Sequence, residues 1–115
     1  MIKSKDNSEY YIWGNNCDSW VLKDTPELSI KQEKMPSGTS EKLHFHKMAS
    51  QFFYILKGKA VFEVNGERVS VKAGESISIL PTVQHYISNE TMEDLEFLVA
   101  SNPSTNNDRI EIENS

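Results

Sequence analysis

Short segments that alternate apolar and polar residues run through most of the chain, and they constrain its fold more than any other feature. They recur from Tyr10 to Ala100, and Gly, Pro, Asn or Asp residues separate them. Alternation with a period of two is typical of strands that bury one face. No stretch shows the 3.6-residue period of an amphipathic helix. The pattern therefore predicts an all-β protein, either a sandwich or a barrel of antiparallel strands.

The clearest local prediction is a hairpin centred on Asn65 and Gly66. Both residue types accept the positive φ angles of a type I′ turn, so residues 61–64 and 67–71 should pair as its arms. Eight further strands are predicted at residues 10–13, 19–23, 28–34, 42–46, 52–57, 76–80, 84–88 and 95–101. The pattern leaves open whether residues 109–113 form an edge strand or an exchanged strand.

The length of 115 residues fits one domain, which we place at residues 1–115. Both ends are polar, and we expect residues 1–9 and 113–115 to be flexible. Acidic residues outnumber basic ones by 17 to 12 and the isoelectric point is near 5.1, which argues against a nucleic-acid partner. No apolar run reaches the ~20 residues that cross a bilayer, and no secretory signal follows Met1.

Cys17 is the single cysteine of the sequence. A single cysteine excludes an intramolecular disulfide and fits a reducing compartment. The simplest interpretation of Cys17 is a small buried hydrophobic residue. These features together predict a soluble, cytoplasmic protein that acts on a small molecule or a protein rather than on nucleic acid or a membrane.

Three histidines are present, and two of them, His44 and His46, are separated by one residue. In a strand this spacing places both imidazoles on one face about 6.5–7 Å apart, close enough to share a metal ion. Gln51 lies just past the next turn, where the predicted strand at residues 52–57 starts, and His85 follows about forty residues after His46. A lone histidine is usually a surface residue or one bonded to backbone, but a closed barrel could bring these four side chains together.

Two blocks of the sequence resemble the paired motifs of the cupin superfamily. The first block spans residues 38–58 and the second spans residues 74–89. Their motif positions are Gly38, His44, His46, Gln51 and Gly58, then Gly74, Pro81, His85 and Asn89. The sequence departs from the usual pattern at two positions, with Gln51 where the family usually has Glu and Val83 where it often has Gly.

The resemblance is to a small single-domain cupin of the conserved-barrel type, and it implies both a fold and a cofactor. The implied fold is a double-stranded β-helix, a jelly-roll-like barrel of two antiparallel sheets, which usually forms a homodimer. The implied cofactor is one divalent transition-metal ion near one mouth of the barrel, with His44, His46, Gln51 and His85 as its ligands. Imidazole and oxygen donors together admit Zn, Cu, Fe, Mn, Ni or Co, so the identity of the metal stays open.

Gln51 would change the chemistry of such a site because an amide is neutral. Four neutral ligands leave the full charge of +2 on the metal, which makes a bound water more acidic and attracts anions more strongly. An amide is also a weaker ligand than a carboxylate and cannot carry a proton, so the metal should be held more loosely. Alternatively, Gln51 turns away to bond the backbone and leaves three histidines and water.

Two functional hypotheses follow, and both use the metal site. The first is a metal-dependent enzyme on a small, oxygen-rich substrate, with dioxygenase-like chemistry or isomerase-like Lewis-acid chemistry. It assigns no catalytic residue, although Glu33 and Tyr54 are candidates for proton transfer. The alternative is a non-catalytic, metal-containing module that binds or senses a small ligand. A purely structural or storage role is least favoured, because a scaffold has no use for three converging histidines.

Overall fold

The computed structural model describes residues 1–112, and these residues form eleven β-strands and no helix. Within this described part of the chain there is accordingly no helix that could span a membrane. The strands are β1 (Glu9–Trp13), β2 (Cys17–Asp24), β3 (Ser29–Met35), β4 (His44–His46), β5 (Ser50–Lys57), β6 (Lys59–Val64), β7 (Glu67–Lys72), β8 (Ser76–Ile79), β9 (His85–Ser88), β10 (Leu95–Asn102) and β11 (Arg109–Glu111).

The strands form two sheets. The first has six strands in the order β1-β2-β3-β10-β5-β8, and the second has five in the order β11-β4-β9-β6-β7. Neighbouring strands run antiparallel throughout both sheets. The predicted all-β fold of two antiparallel sheets is therefore confirmed. Each of the ten predicted strands is present, with its ends within two residues of the predicted ones.

Turn chemistry sets the register of the hairpin between β6 and β7. Asn65 and Gly66 have φ angles of 49° and 86°, as a type I′ turn requires. The turn between β5 and β6 depends on Gly58, whose φ is 86°. A Cβ at this position would lie 2.8 Å from the carbonyl oxygen of Asp94, so any other residue would force the backbone apart.

The core lies between the sheets and draws on both of them. Alternation along each strand turns one set of side chains inward, and apolar members of this set pack together as the central cluster. Cys17 belongs to this core, as the sequence predicts. The largest fully buried apolar side chains are Phe62, Phe97, Met35, Ile55, Ile87 and Leu95. Among the buried polar residues, Glu33, His46 and Ser101 line the cavity described below.

Residues near both chain ends contact the two sheets. Residues 109–111 of the segment left open form β11, which pairs with β4 at the edge of the five-stranded sheet. Near the other end, Lys5 Nζ lies 3.4 Å from Glu96 Oε1 and 4.8 Å from the centre of the Trp20 ring. The flexibility of residues 1–9 stays a prediction, and residues 113–115 lie outside the described part.

Candidate metal centre and ligand cavity

Neighbouring strands of the five-stranded sheet bring the three histidines together. His44 and His46 lie on β4, and His85 begins β9 directly opposite His44. All three side chains are buried, and one ring nitrogen from each lies within 4.8 Å of the others. The predicted convergence of these residues is thus present in the fold, and it depends on pairing between segments far apart in sequence.

The backbone hydrogen bonds of His44 and His85 fix which ring nitrogen carries the lone pair. Nδ1 of His44 donates to the carbonyl of Lys42 at 2.8 Å, and Nδ1 of His85 donates to the carbonyl of Val83 at 2.9 Å. In a neutral imidazole the other nitrogen, Nε2, then carries a lone pair. These backbone bonds orient the two rings in the way that ligand histidines are oriented in metal sites.

His46 differs from the other two because neither of its ring nitrogens has a hydrogen-bond partner among the described residues. Both nitrogens are buried. Burial without a partner costs about 1–3 kcal/mol, and native proteins rarely leave such a group unsatisfied. A cation shared with His44 and His85 would satisfy it, so this observation fits a metal ion at the centre of the cluster.

The electrostatics of the cluster keep the imidazoles neutral. Burial lowers the pKa of His44 to about 4. Burial, together with the nearby His44 and His85, also lowers the pKa of His46 to about 4. Burial lowers the pKa of His85 as well. Neutral imidazole is the form that binds metals, so the site is in its ligating state near neutral pH.

Gln51 lies next to the histidines at the start of β5. Its Nε2 donates to Ser101 Oγ at 3.1 Å, and its Oε1 lies 3.1 Å from His85 Nε2. Because His85 Nδ1 is already a donor, Nε2 of neutral His85 and Oε1 of Gln51 are two acceptors that face each other. A cation binding both would remove this repulsion. A half-turn of the amide would instead let its NH₂ donate to His85, which is the arrangement expected without a ligand role.

A cavity of about 530 Å³ opens beside the cluster and lies between the two sheets. The six-stranded sheet contributes Lys31, Glu33 and Gln51, and the five-stranded sheet contributes His46 and Arg109. His46 is the member of the histidine cluster that lines this space. The volume falls in the range of about 300–1,000 Å³ that is usual for small-molecule sites.

The structure separates the two residues that the sequence offered for proton transfer. Glu33 lines the cavity and is 9% exposed. Tyr54 is 37% exposed and does not line the cavity, because it alternates with the inward Phe53 and so lies on the outer face of β5. Tyr54 is therefore the wrong candidate for proton transfer in the cavity, whereas Glu33 stays a candidate.

Arg109 on β11 is a site residue that the sequence does not reveal. Its guanidinium NH1 lies 3.4 Å from His44 Nε2 and 3.3 Å from Glu41 Oε2, and its Nε lies 3.4 Å from Glu111 Oε2. Arg109 also lines the cavity. A planar guanidinium is suited to binding a carboxylate through two parallel bonds, and here Glu41 and Glu111 already pair with it.

Two acidic side chains contribute to the electrostatics of the cavity. Burial, opposed by Ser19 and reinforced by the negative Glu41, raises the pKa of Glu33 to about 7. Burial also raises the pKa of Glu41, although the neighbouring Arg109 opposes this. An acid with a pKa near 7 exchanges its proton readily at physiological pH, which is the property a general acid or base requires.

Asp108 holds the turn that follows the His44–His46 strand. Its carboxylate accepts backbone N–H groups from Lys47 at 3.0 Å, from Met48 at 3.2 and 3.1 Å, and from Ala49 at 3.0 Å. Partial burial raises the pKa of Asp108, but these backbone bonds outweigh it and leave the pKa below its ordinary value. The C-terminal segment therefore fixes the β4–β5 turn, which lies between His46 and Gln51. The sequence carries no local signal for this contact.

Comparison with known families identifies the class of protein. Residues 31–101 match the family model described as Cupin domain, which covers more than half of the 115-residue chain. The chain belongs to the cupin family. The resemblance stated from the two motif blocks is confirmed, and so is the jelly-roll-like cupin barrel that it implies.

Particular relatives are similar over different shares of their length. The chain is 42% identical over 65 residues to the Oxalate-binding protein of Thermotoga maritima, a match that covers 56% of this chain and 54% of the relative. It is 31% identical over 84 residues to an uncharacterized protein of Methanocaldococcus jannaschii, covering 73% of this chain and 67% of that protein. The first match thus spans about half of the relative's length.

A solved structure described as a predicted oxalate decarboxylase from Thermotoga maritima shares the fold. Its TM-score is 0.83 at 26% identity, and the alignment covers 90% of this chain and 100% of that one. The names of two relatives therefore concern a small dicarboxylate.

Proposed function

We propose that this protein binds one divalent transition-metal ion through His44, His46 and His85, with Gln51 as a fourth ligand. The observation that carries the proposal is the burial of both His46 ring nitrogens without a partner among residues 1–112. A donor set of three imidazoles and one amide oxygen is compatible with Zn, Fe, Mn, Ni or Co. The neutrality of all four side chains would leave the metal strongly electrophilic.

The ligand of this site is proposed to be a small carboxylic acid, with oxalate as its simplest representative. Three observations support this class: a cavity of about 530 Å³, the guanidinium of Arg109 on its wall, and the name of the Thermotoga maritima relative. Arg109 would hold a carboxylate through charge-assisted hydrogen bonds. Its pairing with Glu41 and Glu111 keeps the guanidinium in place before the ligand arrives.

The activity we propose is metal-dependent chemistry on such an acid, of a dioxygenase-like or an isomerase-like, Lewis-acid kind. When bound, the metal would supply polarisation of a ligand oxygen or, if it is redox-active, one-electron chemistry. Arg109 binds and orients the anionic end of the ligand, while Phe53 and Val99 form apolar parts of the cavity wall. We assign proton uptake and release to Glu33, because its carboxyl lines the same cavity.

A non-catalytic binding or sensing module is the second candidate, and one observation favours it. The relative that is 42% identical is named for binding oxalate rather than for converting it. A binding module needs Arg109 and the metal but no proton exchange at Glu33. The two candidates therefore differ in whether a bound acid is turned over.

Calorimetric titration of oxalate into metal-free and metal-loaded protein tests the shared part of the proposal. Binding should require the metal and should be lost in His46→Gln, whose folding is checked by circular dichroism. Oxalate that binds equally well without metal, or not at all to any loaded form, would contradict it. For the loaded protein, oxygen uptake and the appearance of products from oxalate and related acids favour the enzyme. Binding without turnover favours the module.

A homodimer and a cytoplasmic location complete the proposal. The outer face of β5 exposes Phe52, Tyr54 and Leu56, which are 44%, 37% and 40% exposed, and a second copy could cover this face. The single, buried Cys17 is compatible with a reducing compartment. Sedimentation of a monomer at micromolar concentration would count against the dimer.

A further inference from the structure

The wall of the cavity contributed by β1 and β3 carries a second set of polar groups. Lys31 Nζ donates to the hydroxyl of Tyr11 at 2.8 Å, and both residues line the cavity. Glu33 follows Lys31 by two residues and faces the same way, as period-two alternation requires. A cation, a phenol and a carboxyl are therefore gathered on one wall, away from the histidine cluster.

Strand register separates this wall from the metal centre. Across β10, Gln51 pairs with Ser101, which in turn pairs with Ser29 on β3. At about 3.3 Å per residue, Lys31 and Glu33 lie roughly 7 and 13 Å farther along β3 than the level of Gln51. A two-carbon diacid bound at the level of Gln51 would not extend over that distance.

One buried polar atom on this wall lacks a partner in the described chain. The indole Nε1 of Trp13, a cavity-lining residue, is buried and has no hydrogen bond. Such atoms cost free energy unless water or a ligand meets them, so this wall has unused capacity for hydrogen bonding.

We propose that the cavity takes a hydroxy acid or keto acid longer than two carbons, whose carboxylate binds at the Arg109 end and whose distal oxygens bind Glu33, Lys31 and Tyr11. This inference rests on the proposed function, because it assumes an acid bound near the metal. It deepens that function by naming the substrate class: an acid with oxygen atoms at both ends, rather than oxalate itself. Lys31 and Tyr11 act as specificity residues in this arrangement.

The protonation state of Glu33 suits it to bind the distal oxygens of the ligand. Burial raises its pKa to about 7, so near neutral pH a large share of these carboxyls keep their proton. A protonated carboxyl both donates and accepts a hydrogen bond, which matches a hydroxyl or a carbonyl oxygen on the ligand. Lys31 supplies a further donor, and the Tyr11 hydroxyl can donate or accept a hydrogen bond.

Three acids distinguish the proposal in calorimetric titrations of zinc-loaded protein: oxalate, butyrate, and threonate, a four-carbon acid with three hydroxyls. Threonate should bind the unmodified protein at least about tenfold more tightly than butyrate, since one good hydrogen bond is worth about that factor. Each of Lys31→Met and Tyr11→Phe should weaken threonate binding several-fold to about tenfold and leave oxalate binding within about twofold. Glu33→Gln should weaken threonate binding to a similar extent. Lys34→Met, a change on the outer face of the same strand, should alter neither threonate binding nor oxalate binding.

The failure of this inference is separable from the failure of the proposed function. If oxalate binds but threonate has no advantage over butyrate, the second wall is not a binding site and the inference is overturned alone. The same conclusion follows if Lys31→Met and Tyr11→Phe weaken oxalate binding as much as threonate binding. If none of the acids binds the zinc-loaded protein, the proposed carboxylate ligand is wrong and the inference falls with it.

Discussion

Replacing Glu33 with glutamine should stabilise the protein above neutral pH and leave its stability nearly unchanged at pH 4. Burial raises the pKa of Glu33 to about 7 in the folded protein, against 4.5 for an unperturbed carboxyl. As the pH rises from 4.5 to 7, the unfolded chain releases a proton that the folded chain keeps. The free energy of unfolding therefore falls across this window, by ~3 kcal/mol once both states are ionised. Glutamine does not ionise, so the variant does not lose this part of its unfolding free energy as the pH rises.

The assay is urea denaturation of metal-free Glu33→Gln and unmodified protein at pH 4, 6 and 8. The difference in unfolding free energy should grow from near zero to at most ~3 kcal/mol in favour of the variant. The histidines titrate in both proteins, so their effect cancels in the difference. Glu67→Gln, an exposed change on β7, serves as the control and should show no such trend. A difference that is flat with pH, or a variant that is less stable at pH 8, would refute the account of Glu33 as a buried acid without adequate counter-charge.

Other predictions concern the metal ligands and the C-terminal segment. Gln51→Glu should slow release of the metal to a chelator, because it adds a charged ligand; unchanged release would show that Gln51 is not a ligand. Arg109→Gln should weaken oxalate binding about tenfold in calorimetry while metal content stays the same. Equal affinity would remove Arg109 from the anion site. Asp108→Ala should lower the free energy of unfolding by about 2 kcal/mol or more, because the N–H groups of Lys47, Met48 and the buried Ala49 lose their acceptor. Asp108→Asn keeps one acceptor and should lose less; a loss below ~0.5 kcal/mol for the alanine variant would contradict this.

Much of the fold was predictable because its signals are local. Alternation identifies strands from their own residues, and the Asn65–Gly66 pair specifies a hairpin without reference to the rest of the chain. The alternation of side chains between the two faces of a strand was equally informative. If Gln51 faces inward, Phe53 faces inward and Tyr54 faces outward, so the position of Tyr54 was available from the same rule that placed Phe53.

The groups that surround the histidines were not predictable, because they come from distant segments. Asp108 and Arg109 reach the site through the pairing of β11 with β4, more than sixty residues earlier in the chain. Alternation says that a strand exists but not which strand it pairs with. The high pKa of Glu33 depends in the same way on burial between sheets, which a sequence pattern does not measure.

The most direct test of the central claim is the metal content of the protein itself. Protein purified without an affinity tag or chelator, then offered Mn, Fe, Co, Ni and Zn in turn, is analysed by mass spectrometry for bound metal. The account predicts one equivalent of at least one of these ions per chain, and its loss in His44→Gln and His85→Gln variants that remain folded. Absence of stoichiometric metal under every loading condition, or full retention in both variants, would contradict it.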